Sequence, residues 1–148
     1  MKLNIDYDMA NSVSEFMYDN AEKYGLDKDE MFVLGYIFQI GKISNAEDYA
    51  HAGGVILYKQ GFKYSNIVAS HNMTPEEYCK MHLVDEPPIE MILLWKGIIN
   101  YIKSKEPYNF GGNSEDIVNP NIAGTQKSIY VSIMNYLYEW DEDWRRKN

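Results

Sequence analysis

Hydrophobic positions recur at helical intervals along most of the chain. The densest run is Phe32 to Ile43, FVLGYIFQIGKI, which stops at the polar pair Ser44-Asn45. A helix that is apolar all round is buried all round. This run is far shorter than the roughly 20 residues a bilayer span needs, so it predicts the central helix of a helical domain. Asp27-Lys28-Asp29-Glu30 opens it, with capping-box spacing between Asp27 and Glu30 and acids at the positive end of the helix dipole. Gln39 is a polar side chain inside the run and needs a hydrogen-bond partner or a pocket.

Before this helix, Met9, Val13, Phe16, Met17 and Tyr24 predict a first helix over about 8–24, with Gly25 just past its end. After it, Ser44-Asn45-Ala46-Glu47 repeats the capping device for a helix over about 44–60, closed by Gly61. Ala46, Tyr49, Ala50, Gly53 and Leu57 form one stripe of that helix. His51, Val55 and Tyr58 form another, and its apolar character points His51 towards protein rather than bulk water. A short helix over about 64–71 ends near His71. Thr74-Pro75-Glu76-Glu77 combines a Thr cap, Pro at the first position and Glu three residues after the Thr, which marks another helix start. Asp85-Glu86-Pro87-Pro88 breaks the chain and feeds a helix over about 88–104 with Met91, Leu94, Trp95, Ile98 and Ile102 as its core stripe. Residues 106–126, rich in Gly, Pro and Asn, read as a long loop. Ile129, Ile133, Leu137, Trp140 and Trp144 then place a core-docking aromatic helix over about 125–145. The only segment compatible with a strand is Lys2 to Tyr7. The reading is an all-α chain: one compact multi-helix domain covering 1–148.

Composition narrows the function. The 148 residues carry 45% hydrophobic side chains, including 13 Tyr and 3 Trp, so the chain can build a core. The net charge is −8, and the basic residues cluster only at Arg145-Arg146-Lys147. Phosphate neutralisation needs clustered Lys and Arg, so nucleic acid is excluded as the main partner. One cysteine, Cys79, permits no internal disulfide and suits a reducing compartment. The N-terminus lacks a signal-peptide core and nothing reads as a membrane span, so the expected location is cytoplasmic.

Candidate chemistry comes from a resemblance. FVLGYIFQIGKI resembles the helix of HD-domain metal-dependent phosphohydrolases that ends in a His-Asp pair followed by x-Gly-Lys. Phe38 and Gln39 stand in the places of the pair, while Gly41 and Lys42 remain. HAGGVIL (His51 to Leu57) and IVASHN (Ile67 to Asn72) resemble that family's later His-containing segments. The resemblance covers roughly 10–100 and implies the HD helical core.

The resemblance also implies a lost metal site. The His expected on the first helix is missing, since no His precedes His51, and the helix over 88–104 lacks the expected Asp and carries Lys96 in its middle. A hydrolytic metal needs about three protein ligands and an open position for water; an aromatic ring and a neutral carboxamide supply neither imidazole nor charge. We therefore expect no catalytic residue, no metal and no cofactor. The expected function is a non-catalytic binding or protein-interaction module on a degenerate HD-like scaffold. Its candidate pocket is Gln39, Lys42, His51, His71 and Lys96, taking a small anion or nucleotide. A protein partner or a second copy of the chain, bound at the aromatic, Gly-rich stretch 106–144, is the other expectation. The alternative is a phosphohydrolase with an unusual metal site from His51, His71 and an acid such as Glu47 or Asp48. At single residues, His51 reads as a core histidine or a ligand, His71 as a partner of terminal carbonyls or a ligand, and Lys42 as a snorkelling or an anion-binding lysine.

Overall fold

The structure is a computed structural model that describes residues 5–105 and 125–148. It is all-α. Its helices are α1 (Tyr7–Asn20), α2 (Lys28–Ile37), α3 (Tyr49–Lys59), α4 (Ser65–Ser70), α5 (Pro75–His82), α6 (Ile89–Ser104) and α7 (Thr125–Lys147), with 3-10 turns at Glu22–Tyr24 and Ile40–Ser44. No strand occurs among the described residues; Tyr7, the end of the one strand candidate, already opens α1. No described helix is long and apolar enough to cross a membrane. The predicted Gly-rich loop over 106–126 lies almost wholly outside the described residues.

The chain divides into two compact units, Met1–Asn72 with Pro88–Ile98, and Met73–Pro87 with Ile99–Asn148. In the first, α1 buries Met9, Val13 and Met17, α2 buries Met31 and Leu34, and the first part of α6 buries Met91, Ile92, Leu94, Trp95 and Ile98. Each such side chain contributes about 1.5–3 kcal/mol on leaving water. Helices α1 and α2 cross at Gly35, where an added Cβ would stand 2.8 Å from the Ser14 Cα. In the second unit, α5 buries Pro75 and Tyr78, and α7 buries Tyr130, Ile133 and Leu137.

The helix starts follow local chemistry. Asp6, Asp27 and Asp48 cap α1, α2 and α3, their carboxylates accepting from the amides of Met9, Glu30 and His51. Thr74 and Glu77 form the full capping box of α5. Gly25 and Gly61 take left-handed φ values of 73° and 77° where the helical segments before them end. Leu83 takes the same region at φ 56° as the C-cap of α5, although it is 91% exposed.

Three expectations are corrected. The central helix does not run to Ile43: it ends at Ile37, turns at Phe38-Gln39 and continues as the 3-10 segment Ile40–Ser44. Nor is it buried all round, because Phe32, Val33 and Tyr36 are 38%, 44% and 39% exposed. The third helix starts at Tyr49, not at Ser44. The Ser44 hydroxyl instead donates to the Gly41 carbonyl and accepts from the Ala46 amide, closing the 3-10 turn.

Gly41 explains the early break. A Cβ there would fall on the Tyr49 carbonyl and within 2.5 Å of the Gly53 amide nitrogen, so two backbones touch where a side chain would stand. Gly41→Ala should therefore cost about 3 kcal/mol by overpacking. Gly25→Ala meets open space and should cost only the left-handed penalty, about 1 kcal/mol. Urea denaturation of the two variants beside the parent chain measures this difference.

Candidate functional site

The turn after α2, the first turn of α3 and the C-terminus of α4 bring Phe38, Gln39, Lys42, Tyr49 and His71 together by contact. Gln39 is 1% exposed, and its carboxamide bridges the backbone of Asp6: Oε1 accepts from the Asp6 amide at 3.0 Å, and Nε2 donates to the Asp6 carbonyl at 2.9 Å. The Lys42 ammonium donates to the same Oε1 at 3.0 Å and lies 5.1 Å above the Tyr49 ring. Burial lowers the Lys42 pKa, against which the charge of Asp6 acts to raise it. The Tyr49 hydroxyl lies 2.8 Å from Nε2 of His71.

His71 is fully buried. Its Nδ1 lies 2.7 Å from the Val68 carbonyl, its ring stands edge-on to Phe38 at 5.0 Å, and its own carbonyl accepts from the Trp95 indole at 2.8 Å. A carbonyl can only accept, so Nδ1 carries the proton and Nε2 accepts from the Tyr49 hydroxyl. Both ring nitrogens are thus engaged within the protein. Burial pushes the His71 pKa down to about 4, a shift that the Val68 hydrogen bond opposes and the Lys42 charge reinforces. His71 does interact with the carbonyls of its helix end, as one of its two sequence readings has it.

Two of the five expected pocket residues sit differently. His51 is exposed on α3, as are Val55 and Tyr58 of the same stripe, so the expectation that it faces protein is corrected. That stripe is the outer face of the helix; Ala50, Gly53, Gly54 and Leu57 form the inner one. Lys96 holds its ammonium 5.7 Å over the ring of Tyr24. Gln39, Lys42 and His71 do form one connected set. Sequence reasoning assigned neither Tyr49 nor Asp6 to it. Tyr49 was legible only as a member of the inner stripe, and the Asp6 contribution is backbone, which no side-chain pattern reports.

No family model, no curated protein and no solved structure matches this chain.

The donor set does not fit a metal. Among the described residues no group of three or more His, Cys, Asp or Glu could hold a cation. Of the two histidines in the alternative reading, His71 has no lone pair left over and His51 faces solvent. The Gln39 oxygen takes one of the three donors of the Lys42 ammonium. The Gln39 carboxamide and both ring nitrogens of His71 are spent on hydrogen bonds within the fold.

The buried imidazole gives a pH dependence of definite sign. Its pKa is about 4 folded, against an unperturbed 6.5. Between these values the unfolded chain binds a proton that the folded chain does not, so stability rises with pH. The contribution of His71 is complete above pH 6.5 and is lost as pH falls towards 4; it amounts to roughly 3 kcal/mol. In nitrogen-detected NMR at pH 5.5, His71 should remain neutral with its proton on Nδ1. Gln39→Leu removes the acceptor of the Asp6 amide and of one Lys42 donor, while the Asp6 carbonyl keeps the Ala10 amide, and should cost about 1–3 kcal/mol in chemical denaturation.

Proposed function

We propose that the protein is a non-catalytic protein-interaction module built on an HD-like helical scaffold. The observation that carries this reading is the commitment of Gln39, Lys42 and His71 to one another and to the backbone. Groups that would polarise a substrate or hold a metal instead stabilise a turn. An interaction role also has a surface to use. Tyr18, Phe32 and Tyr36 form a ledge on α1 and α2, with Phe32 edge-on to Tyr18 at 6.2 Å and stacked on Tyr36 at 6.3 Å. All three are more than a third exposed, and Val33 adds to the same helix. Adjoining apolar side chains left in water mark interaction sites on soluble proteins, and aromatic rings supply large contact area at low entropic cost. The partner is a protein surface of matching apolar character.

Thermal denaturation with a nucleotide panel, and with manganese or nickel, separates this reading from a ligand pocket. A ligand at 100 times its Kd would add about 2.7 kcal/mol and move Tm by several degrees; no such shift is expected. A saturable shift with any nucleotide, or stoichiometric metal in protein purified without chelator, would overturn the proposal. On the interaction side, a photo-reactive amino acid placed at position 33 should give a discrete crosslinked protein product in the producing cells. Phe32→Ser should reduce that product while leaving Tm within a few degrees, because the side chain is already partly in water.

A further inference from the structure

The second unit holds a cleft of about 340 Å³ that plays no part in the reading above. One wall is a single face of α7, Ser132, Asn135, Tyr136 and Glu139, spaced i, i+3, i+4 and i+7. The other is the start of α5, where Thr74, Pro75 and Glu76 line it. The capping box fixes this wall, with the Thr74 hydroxyl accepting from the Glu77 amide and the Glu77 carboxylate accepting from the Thr74 amide. Pro75 is buried, so this wall carries a rigid, apolar residue.

Charge decides what such a cleft would accept. Glu76 and Glu139 face it from opposite walls, and neither carboxylate has a hydrogen bond or ion pair among the described residues. No Lys, Arg or His lines it. Tyr136 lines the same cleft and is half-buried. Its phenol is pushed up to about 12, first by burial and then by neighbouring acids that include Glu86 and Asp143, so it is neutral and sits near negative charge. Asp143 itself is taken by Arg146 at 2.7 Å. Two uncommitted carboxylates beside an aromatic face suit a planar cation, which can stack on the ring and donate to both acids. An ammonium can do only one of these well. The volume lies at the low end for small-ligand sites, which run from about 300 to 1,000 Å³ and enclose most of the ligand. Here Glu76, Ser132, Asn135 and Glu139 are themselves exposed, so the cleft is an open notch. A free small molecule would remain largely in water. A side chain held in place by its own backbone would not need enclosure.

We propose that this notch receives an arginine side chain from a protein partner, clamped between Glu76 and Glu139 over the Tyr136 ring. The test is an NMR titration of the full-length protein, at low ionic strength, with an acetylated and amidated Gly-Arg-Gly peptide. Saturable shifts confined to residues 74–76 and 132–139 are expected. The citrulline peptide, equal in shape but neutral, should bind at least tenfold more weakly, as should the lysine peptide. Glu76→Gln with Glu139→Gln should weaken the arginine peptide about tenfold while circular dichroism and Tm stay unchanged; if that double variant loses its fold, Tyr136→Leu serves instead, with a loss of severalfold. Absence of saturable shifts, shifts spread over the whole acidic surface, or equal binding by the variants would overturn the proposal. So would equal affinity for free guanidinium ion, which would make the notch a site for small cations.

Discussion

A carboxamide buried among apolar side chains is tolerated only when its hydrogen bonds are made, and Gln39 makes three. Two go to the backbone of Asp6, thirty-three positions earlier, as both donor and acceptor, much as a neighbouring strand would. Because Asp6 is also the N-cap of α1, Gln39 ties the beginning of the first helix to the end of the second. The third bond brings in Lys42 and, through the Tyr49 ring, the first turn of α3. Leaving any one of these buried groups unpaired costs about 1–3 kcal/mol. The 3-10 segment, the approach of Gly41 to α3 and the contact of Tyr49 with His71 all adjoin this bridge. An aspartate at position 39 would be shorter and, when ionised, could only accept; it could not make the same connection.

Much of the helical layout was legible because its signals are local. Capping residues sit beside the amides they satisfy, which is why Asp27, Thr74 and the Gly61 stop fall where the periodicity puts them; the first helix ends at Asn20, and Gly25 closes the 3-10 turn Glu22–Tyr24 instead. The inner stripe of α3 and the α6 stripe from Met91 to Ile102 follow from spacing alone. The interruption of the central helix was not legible. Its cause is a contact between the backbones of Gly41, Tyr49 and Gly53, and composition within a window cannot report an approach across windows. The exposure of Phe32, Val33 and Tyr36 was missed for a related reason: a continuous apolar run records what could be buried, not how many neighbours arrive to bury it.

At the candidate site the same distinction holds. The residue types were flagged correctly as unusual, since a glutamine in an apolar run and a histidine at a helix end each demand a partner. Two of their partners, Asp6 for Gln39 and Tyr49 for His71, lie too far along the chain for a sequence pattern to name, and Asp6 answers with its main chain. His51 failed because two apolar neighbours on its stripe, Val55 and Tyr58, stay in solvent. Spacing groups residues on one face of a helix without stating which way that face looks.

Leu83 ends α5 in the left-handed region, where a branched-chain residue is held at a cost of roughly 1–2 kcal/mol and its exposed side chain returns nothing by burial. The helix is thus fastened by side chains at its Thr74 end and by backbone at the other, where the Leu83 and Val84 amides donate to the Cys79 carbonyl. Thermal fraying should begin at His82 and move backwards, with amide exchange fastest there and slowest around Tyr78. The turn that faces α7 is then the last part of α5 to unwind, which keeps its geometry fixed while the opposite end samples open states.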